Sequence, residues 1–269
     1  PWRSTVSPHE LLQEMSIRSE GKFGVGSSSD PLELYSWFIN TLQRDIQAFQ
    51  KKNNVKRPSS TIISRLFQGS VEIRSEKVSR KQAKLDITAT SNSMDLDATS
   101  STDHADQSTA TNGVSTDSGT TDSDVTTKTT PFFFLQLDLP AVTLLKDEKS
   151  KSASLQVPNY NLLSKYDGKT AQFVATTKEN RFFQILALPQ YLVFFVKRFT
   201  QNMFLVEKNK TIVNFPVDEL DMADYVKDKT EKSTKYALRA YICHTGDTVT
   251  GSCLSRFFHR SNGKWYNCQ

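Results

Sequence analysis

Apolar residues recur at helical spacing in the first part of the chain. The segment 7–10 has the residues of a helix start, because Ser7 can cap, Pro8 suits the first turn and Glu10 completes a capping box. Asp30-Pro31-Leu32-Glu33 repeats this capping pattern, and apolar residues then follow every three or four positions. These apolar residues are Tyr35, Phe38, Leu42, Ile46 and Phe49. The pattern predicts two amphipathic helices that pack into a core, separated by a glycine-rich loop at 21–26.

Further along the chain, apolar residues alternate with polar ones, which is the period of a β-strand. Predicted strands, in chain order, lie at 66–73, 132–140, 191–199, 212–215, 236–242, 251–258 and 264–268. The stretch at 191–199 is the most apolar and is predicted to be a central strand, whereas Val157 to Tyr166 predicts a short helix. Helices followed by antiparallel strands favour an α+β fold.

Residues 76–130 interrupt this pattern with an acidic segment of nine Asp/Glu and five Lys/Arg. Within it, 19 of the 40 residues from 88 to 127 are Ser or Thr, and none is aromatic, Lys or Arg. Such a segment buries too little apolar surface to offset its ordering entropy. We therefore predict a disordered insert, which is either a tolerated loop expansion or a segment regulated by phosphorylation.

The chain carries a net charge of +5 and has a pI of about 9.0. Outside the insert its Lys and Arg are scattered, and they form one small cluster of Lys51-Lys52 with Lys56-Arg57. An ordinary solvated surface is therefore favoured over a dedicated nucleic-acid stripe, and direct RNA contact stays open. The longest apolar run, Tyr191 to Val196, is too short to span a membrane.

The cysteines and histidines do not form a complete catalytic or metal-binding pattern. The three cysteines are Cys243, Cys253 and Cys268, an odd number without CxxC spacing, which argues against a disulfide framework or a zinc site. Cys243 and the adjacent His244 point to opposite faces of a strand. Cys268 alternates with Tyr266 and is predicted to be buried.

The remaining histidines are His9, in a first helical turn, His104, in the insert, and His259, on a late strand. Neither His244 nor His259 has a cysteine or carboxylate at ligand spacing, so metal binding is not expected. No cofactor is expected for this chain, and the cysteine usage suggests a reduced, intracellular protein.

Several late motifs together resemble the ubiquitin-specific proteases in order and spacing. They are Leu188-Pro189 with Lys197-Arg198-Phe199, Val213-Asn214-Phe215-Pro216, Tyr236-Ala237-Leu238-Arg239-Ala240 with His244-Thr245-Gly246, Gly251-Ser252-Cys253, and Trp265-Tyr266. The resemblance implies a papain-like α+β fold over residues 1–269, incomplete at both ends, with the catalytic cysteine motif expected upstream of Pro1.

The departures from that family concern its catalytic positions. Where the active enzymes have the histidine of a "GHY" motif, this sequence has Ser252, and serine cannot act as a base near neutral pH. Gln269 stands where they have the orienting Asp or Asn. The zinc-binding CxxC pairs that active relatives often carry after the strand matching residues 67–73 are also missing. The resemblance therefore implies no catalytic residues, only the degenerate positions Ser252 and Gln269, and hence a pseudoenzyme.

One subgroup, the inactive ubiquitin-specific-protease-like family of the spliceosomal tri-snRNP (the snRNP assembly defective family), is similar over nearly the whole chain outside 76–130. The similarity is especially close at 206–216 and 263–266. It implies a nuclear, non-catalytic scaffold in pre-mRNA splicing that supports tri-snRNP assembly through protein contacts, with tri-snRNP proteins, and ubiquitin or a ubiquitin-like protein, as partners. The alternatives are an active ubiquitin-specific thiol protease and a ubiquitin-binding adaptor outside splicing.

The insert gives the first testable prediction. In limited proteolysis of the free protein, residues 88–127 should be cut first, because an unpacked segment enters a protease active site without local unfolding. Mass spectrometry of the earliest fragments checks this. Protection of the segment while other regions are cleaved would contradict the predicted disorder.

Overall fold

The computed structural model describes residues 7–53, 60–77, 125–140, 156–201, 206–229, 233–248 and 250–268. The chain divides into two compact units. The first comprises Pro1–Gly69, Phe132–Leu135 and Pro189–Phe195, and the second Ser70–Pro131, Gln136–Leu188 and Val196–Gln269. Every helix in the described ranges is too short or too polar to cross a lipid bilayer.

The first unit is built on three helices, α1 (His9–Arg18), α2 (Pro31–Lys52) and α3 (Ile62–Phe67). Asp30 caps α2 as predicted, accepting a hydrogen bond from the Leu32 amide at 2.6 Å. The predicted capping box of α1 is wrong. Because α1 begins at His9, with Pro8 as the N-cap residue, Ser7 lies one position too early, and its hydroxyl reaches only the His9 amide, at 3.4 Å.

Packing in the first unit buries part of the α2 stripe. Ile39 is buried, and Trp37 packs against buried Phe23 with ring centroids 5.1 Å apart. The Tyr35 hydroxyl donates to the Phe133 carbonyl at 3.1 Å, and burial raises the pKa of Tyr35 to about 12. The stripe is nevertheless not fully internal as predicted, since Phe49 is 70% exposed near the end of the helix.

Fifteen strands and one further helix complete the described fold. The strands are β1 (Gly69–Lys77), β2 (Val125–Phe132), β3 (Leu135–Asp138), β4 (Gln156–Pro158), β5 (Gln172–Val174), β6 (Glu179–Ala187), β7 (Phe194–Lys197), β8 (Phe199–Gln201), β9 (Val206–Lys208), β10 (Ile212–Asn214), β11 (Leu220–Asp221), β12 (Lys235–Tyr236), β13 (Ala240–Gly246), β14 (Gly251–His259) and β15 (Lys264–Cys268). The helix is α4 (Asn159–Leu163), continued by a 3₁₀ turn at Ser164–Tyr166.

The strands form several small sheets. A four-stranded sheet has the order β2-β1-β6-β5, and a three-stranded sheet has the order β13-β14-β15. In both, the register pairs that are described are antiparallel. The remaining described sheets are pairs: β4 with β10 in parallel, and β3-β7, β8-β9 and β11-β12.

The core of the second unit is centred on β6. Ile185 is completely buried and lies opposite buried Val71 of β1. Its amide donates to the Tyr225 carbonyl at 3.2 Å, and its carbonyl accepts from the Lys227 amide at 2.8 Å. Residues 225–227, which follow β11, therefore lie alongside β6, and Val226 among them is also buried. Strand β6 therefore holds the sheet and the segment that follows β11 around one apolar centre.

Several predicted elements differ in extent from the observed ones. The strand predicted at 132–140 is observed as the end of β2 and β3, and the strand predicted at 236–242 as the end of β12 and the start of β13. Leu66 and Phe67 end α3 instead of starting a strand, because the Thr61 hydroxyl accepts from the Ser64 amide at 3.0 Å and starts a helical turn. The helix predicted from Val157 starts at Asn159, since Val157 pairs in β4. The central strand predicted at 191–199 is instead the two short strands β7 and β8, which are separated at Arg198.

The acidic insert is shorter than predicted at both of its ends. Residues 76–77 belong to β1, and residues 125–130 belong to β2, which lies next to β1 in the sheet. The run from Val125 to Thr130 is rich in β-branched residues, which favour strands and here outweigh the polar composition. The rest of the predicted insert, residues 78–124, lies outside the described residues.

The buried position of Ile185 leads to a stability prediction. Ile185→Ala should lower the free energy of unfolding by about 2–5 kcal/mol, because it removes buried methyl groups and leaves a cavity. Ile242→Ala is the matched control, since Ile242 is 57% exposed, and it should change stability by less than about 0.5 kcal/mol. Urea denaturation followed by circular dichroism compares the two. Equal effects would contradict the core described here.

Candidate functional site

Ser252 lies near the start of β14, next to the turn that joins β13 and β14. Its register partner is Thr245 of β13. The two hydroxyl oxygens are 3.1 Å apart, and the Thr245 hydroxyl also approaches the Ser252 carbonyl oxygen at 3.2 Å. Both groups are exposed neutral hydroxyls. A pair of this kind can exchange a hydrogen bond, but it offers no group that would be half-ionised near neutral pH.

His244 is one residue away from Thr245 and therefore faces the other side of the sheet. Its ring packs edge-on against Phe199, with centroids 5.1 Å apart, and its Nε2 lies over Gly251. The imidazole is thus directed away from the Ser252 face. Its Nδ1 is buried, with no hydrogen-bond partner among the described residues.

The register places Cys253 directly opposite His244. The sequence predicted no cysteine at ligand spacing from His244, and this cross-strand neighbour was missed because the pairing depends on the turn between β13 and β14, which spacing along the sequence does not reveal. One thiol and one imidazole are too few ligands to form a metal site. Within the described ranges, no group of three or more His, Cys, Asp or Glu could hold a metal ion.

Two glycines allow this turn to form. Gly246 has a φ of +88°, and a Cβ there would lie 2.3 Å from the Thr250 carbonyl oxygen. A Cβ on Gly251 would lie 2.0 Å from His244 Nε2. The glycines in the motifs at 244–246 and 251–253 are therefore required by close approach and by backbone conformation.

Two basic side chains bind backbone carbonyls, Lys208 beside this turn and Arg198 in the connection between β9 and β10. Lys208 Nζ donates to the carbonyls of His244, at 3.1 Å, and Gly246, at 2.7 Å. Arg198 Nη1 donates to the carbonyls of Asn209, at 3.2 Å, and Thr211, at 2.6 Å. Burial lowers the pKa of Arg198, and nearby Cys243 opposes that shift. Both residues belong to motifs noted in the sequence, but their backbone contacts were not predicted, because no local pattern marks a donor to a distant carbonyl.

The remaining candidate residues are Gln269, the cysteines and the other histidines. Gln269 is outside the described residues, as is His104. Cys243, Cys253 and Cys268 are all exposed and free. The prediction that Cys268 is buried is therefore wrong, because β15 is an edge strand, whose five residues are all exposed.

The remaining histidines also lie away from Ser252. His259 is exposed at the far end of β14, with its ring centroid 6.0 Å from that of Tyr266. His9 is the first residue of α1. The structure therefore brings no histidine to the face of the sheet that carries Ser252, within the ranges it describes.

Comparison with known proteins identifies the family and the fold of this chain. The sequence model described as ubiquitin carboxyl-terminal hydrolase matches residues 2–269. The chain belongs to the ubiquitin carboxyl-terminal hydrolase family, and the predicted α+β fold of the ubiquitin-specific protease type is confirmed.

Among individual relatives, ubiquitin carboxyl-terminal hydrolase 39 of Mus musculus and of Homo sapiens are each 36% identical to the chain over 273 residues. The "probable mRNA-splicing protein ubp10" of Schizosaccharomyces pombe is 32% identical over 277 residues. These alignments cover 100% of the chain, but only 43% of each hydrolase 39 and 48% of ubp10. The chain thus spans less than half the length of these relatives.

Solved structures support the same fold. The SAGA Ubp8/Sgf11/Sus1/Sgf73 DUB module bound to ubiquitin aldehyde contains a chain that matches with a TM-score of 0.59 and 17% identity. The match covers 96% of this chain and 48% of that chain. At this identity the likeness concerns the fold alone.

The contact between His244 and Gly251 can be tested by substitution. Gly251→Ala should destabilise the protein by about 1–3 kcal/mol, because the new methyl group overlaps the imidazole. Adding His244→Ala should recover much of that loss, since it removes the overlapping ring. A double-mutant cycle of denaturation midpoints measures the coupling. Strictly additive effects of the two substitutions would argue against the contact.

Proposed function

We propose that this chain is part of a non-catalytic nuclear scaffold in pre-mRNA splicing, which supports assembly of the spliceosomal tri-snRNP through protein contacts. The observation that carries the proposal is Ser252, at the position where the family resemblance puts the catalytic histidine. A relative that aligns over the whole chain, ubp10 of Schizosaccharomyces pombe, is described as a probable mRNA-splicing protein.

The loss of catalysis follows from the chemistry around Ser252. A thiol protease needs an imidazole that takes the proton from the cysteine. Here the position offers a serine hydroxyl facing the Thr245 hydroxyl, while the imidazole of His244 packs against Phe199 on the other face. Gln269, by the same resemblance, replaces the orienting carboxylate.

Retention of the surrounding framework supports a binding role. Gly246, Gly251 and Lys208 still build the turn next to Ser252. A fold can keep its scaffold and surface while its chemistry is lost, because site and fold are separable.

Tri-snRNP proteins are the proposed partners. Ubiquitin or a ubiquitin-like protein is a further candidate, since a solved structure with this fold holds ubiquitin aldehyde.

Purification from cells tests the splicing assignment. The full-length protein, tagged and isolated from nuclear extract under native conditions, should retain the small nuclear RNAs of the tri-snRNP, detected by northern blot. An unrelated nuclear protein with the same tag serves as control. Recovery of the protein without these RNAs would reject the assignment.

Incubation with a fluorogenic ubiquitin substrate tests the loss of catalysis. The full-length protein should give no turnover above buffer, because no base accepts the thiol proton. Ser252→Ala should behave identically, since the hydroxyl has no catalytic role. Thiol-dependent turnover by the wild-type protein, whether or not Ser252→Ala abolishes it, would contradict the pseudoenzyme proposal.

A further inference from the structure

One face of the β13-β14-β15 sheet presents apolar and aromatic side chains to solvent. Strand alternation and the observed register assign these residues to one face: Ile242, His244, Cys253, Ser255, Phe257, His259, Lys264, Tyr266 and Cys268. We call it the aromatic face. Ile242, Phe257 and Tyr266 are 57%, 39% and 41% exposed. Three large apolar side chains this accessible on one small sheet form a patch of the kind that marks binding sites.

The two aromatic rings on this face form an ordered pair. Phe257 and Tyr266 are register partners, with ring centroids 5.6 Å apart and planes inclined by 19°. The Tyr266 hydroxyl accepts a hydrogen bond from Asn262 Nδ2 at 2.6 Å, which fixes the ring. His259 adds a third ring, with its centroid 6.0 Å from that of Tyr266. Flat rings held in place at a surface can stack on unpaired bases without prior ordering.

The charge of the surrounding segment is almost entirely positive. Residues 239–268 contain four Lys/Arg and a single acidic residue, Asp247. Arg239 and Arg256 contact Phe258 and Tyr241 on the opposite face, so Lys264 and Arg260 are the cations of this segment that adjoin the aromatic face. Lys264 lies opposite His259 at one end of the aromatic face, and Arg260 follows in the adjoining turn, both of them exposed. Asp247 lies at the other end, in the turn between β13 and β14. Phosphate groups alongside the rings would therefore meet cations and no carboxylate.

We propose that the aromatic face binds single-stranded RNA, with bases stacked on Phe257 and Tyr266 and phosphates near Lys264 and Arg260. A duplex does not suit this surface, because its bases are already stacked. The ordered rings, with Lys264 and Arg260 at one end of the face, favour RNA over an acidic protein. Acidic side chains would pair with the cations, but they have no flat ring to stack on Phe257 and Tyr266. The proposal goes beyond the scaffold function and does not depend on it, since it concerns the isolated protein.

Fluorescence anisotropy with a fluorescein-labelled 12-nucleotide oligouridine tests the proposal on the purified chain. Phe257→Ala and Tyr266→Ala should each weaken binding about ten-fold, in keeping with the loss of one stacked base. Phe257→Leu keeps an apolar side chain and should weaken binding as well. Lys264→Ala should reduce the slope of log K against log salt concentration by about 0.7, the value for one contact to a single strand.

Matched controls separate the aromatic face from general surface effects. Phe173 on β5 is 61% exposed, and Lys178 is an exposed lysine in the turn before β6. Phe173→Ala and Lys178→Ala should leave the affinity unchanged. Circular dichroism melting confirms that each variant is folded.

Three results would overturn the proposal. The first is the absence of binding to oligouridine at millimolar protein in low salt. The second is equal affinity of wild type, Phe257→Leu and Tyr266→Ala. The third is displacement of the RNA by polyglutamate at matched charge, which would identify a surface for acidic proteins. None of these results bears on the tri-snRNP assignment, which is tested by RNA recovery from nuclear extract.

Discussion

The register between β13 and β14 determines the chemistry of this chain. It pairs Thr245 with Ser252 on one face and His244 with Cys253 on the other. Because side chains alternate along a strand, a shift by one residue would exchange the two faces and bring the imidazole to the side of Ser252. The turn between the strands sets this register, and it tolerates no side chain at Gly246 or Gly251. The framework thus keeps His244 on the face of the sheet opposite to Ser252.

The framework extends beyond the hairpin. Lys208 binds two carbonyls at the end of β13, and Arg198 binds two carbonyls in the connection between β9 and β10. Hydrogen bonds from charged donors to carbonyls are stronger than neutral ones, and they have more effect where water is partly excluded. The Lys208 bonds fix the β13-β14 turn relative to β9, and the Arg198 bonds fix the connection from β9 to β10. The surroundings of Ser252 are therefore ordered, and the aromatic face lies on the same sheet.

Sequence patterns correctly predicted the elements whose structure depends on residues close together in the chain. The alternation in β14 and β15 and the cap at Asp30 are local, and all three were predicted correctly. β6 was not predicted, because its side chains are partly covered on both faces and its sequence lacks alternation. The break at Arg198 depends on carbonyls more than ten residues away, and the exposure of Cys268 depends on the position of β15 at a sheet edge. The motifs indicated Ser252, but only the register shows which side chain lies opposite it.

Nuclear Overhauser effects between β13 and β14 in the isotopically labelled chain test this register most directly. Cross-strand contacts should connect Thr245 with Ser252 and His244 with Cys253. Contacts that pair His244 with Ser252 would contradict this register and the proposed loss of catalysis, because they would place an imidazole beside Ser252.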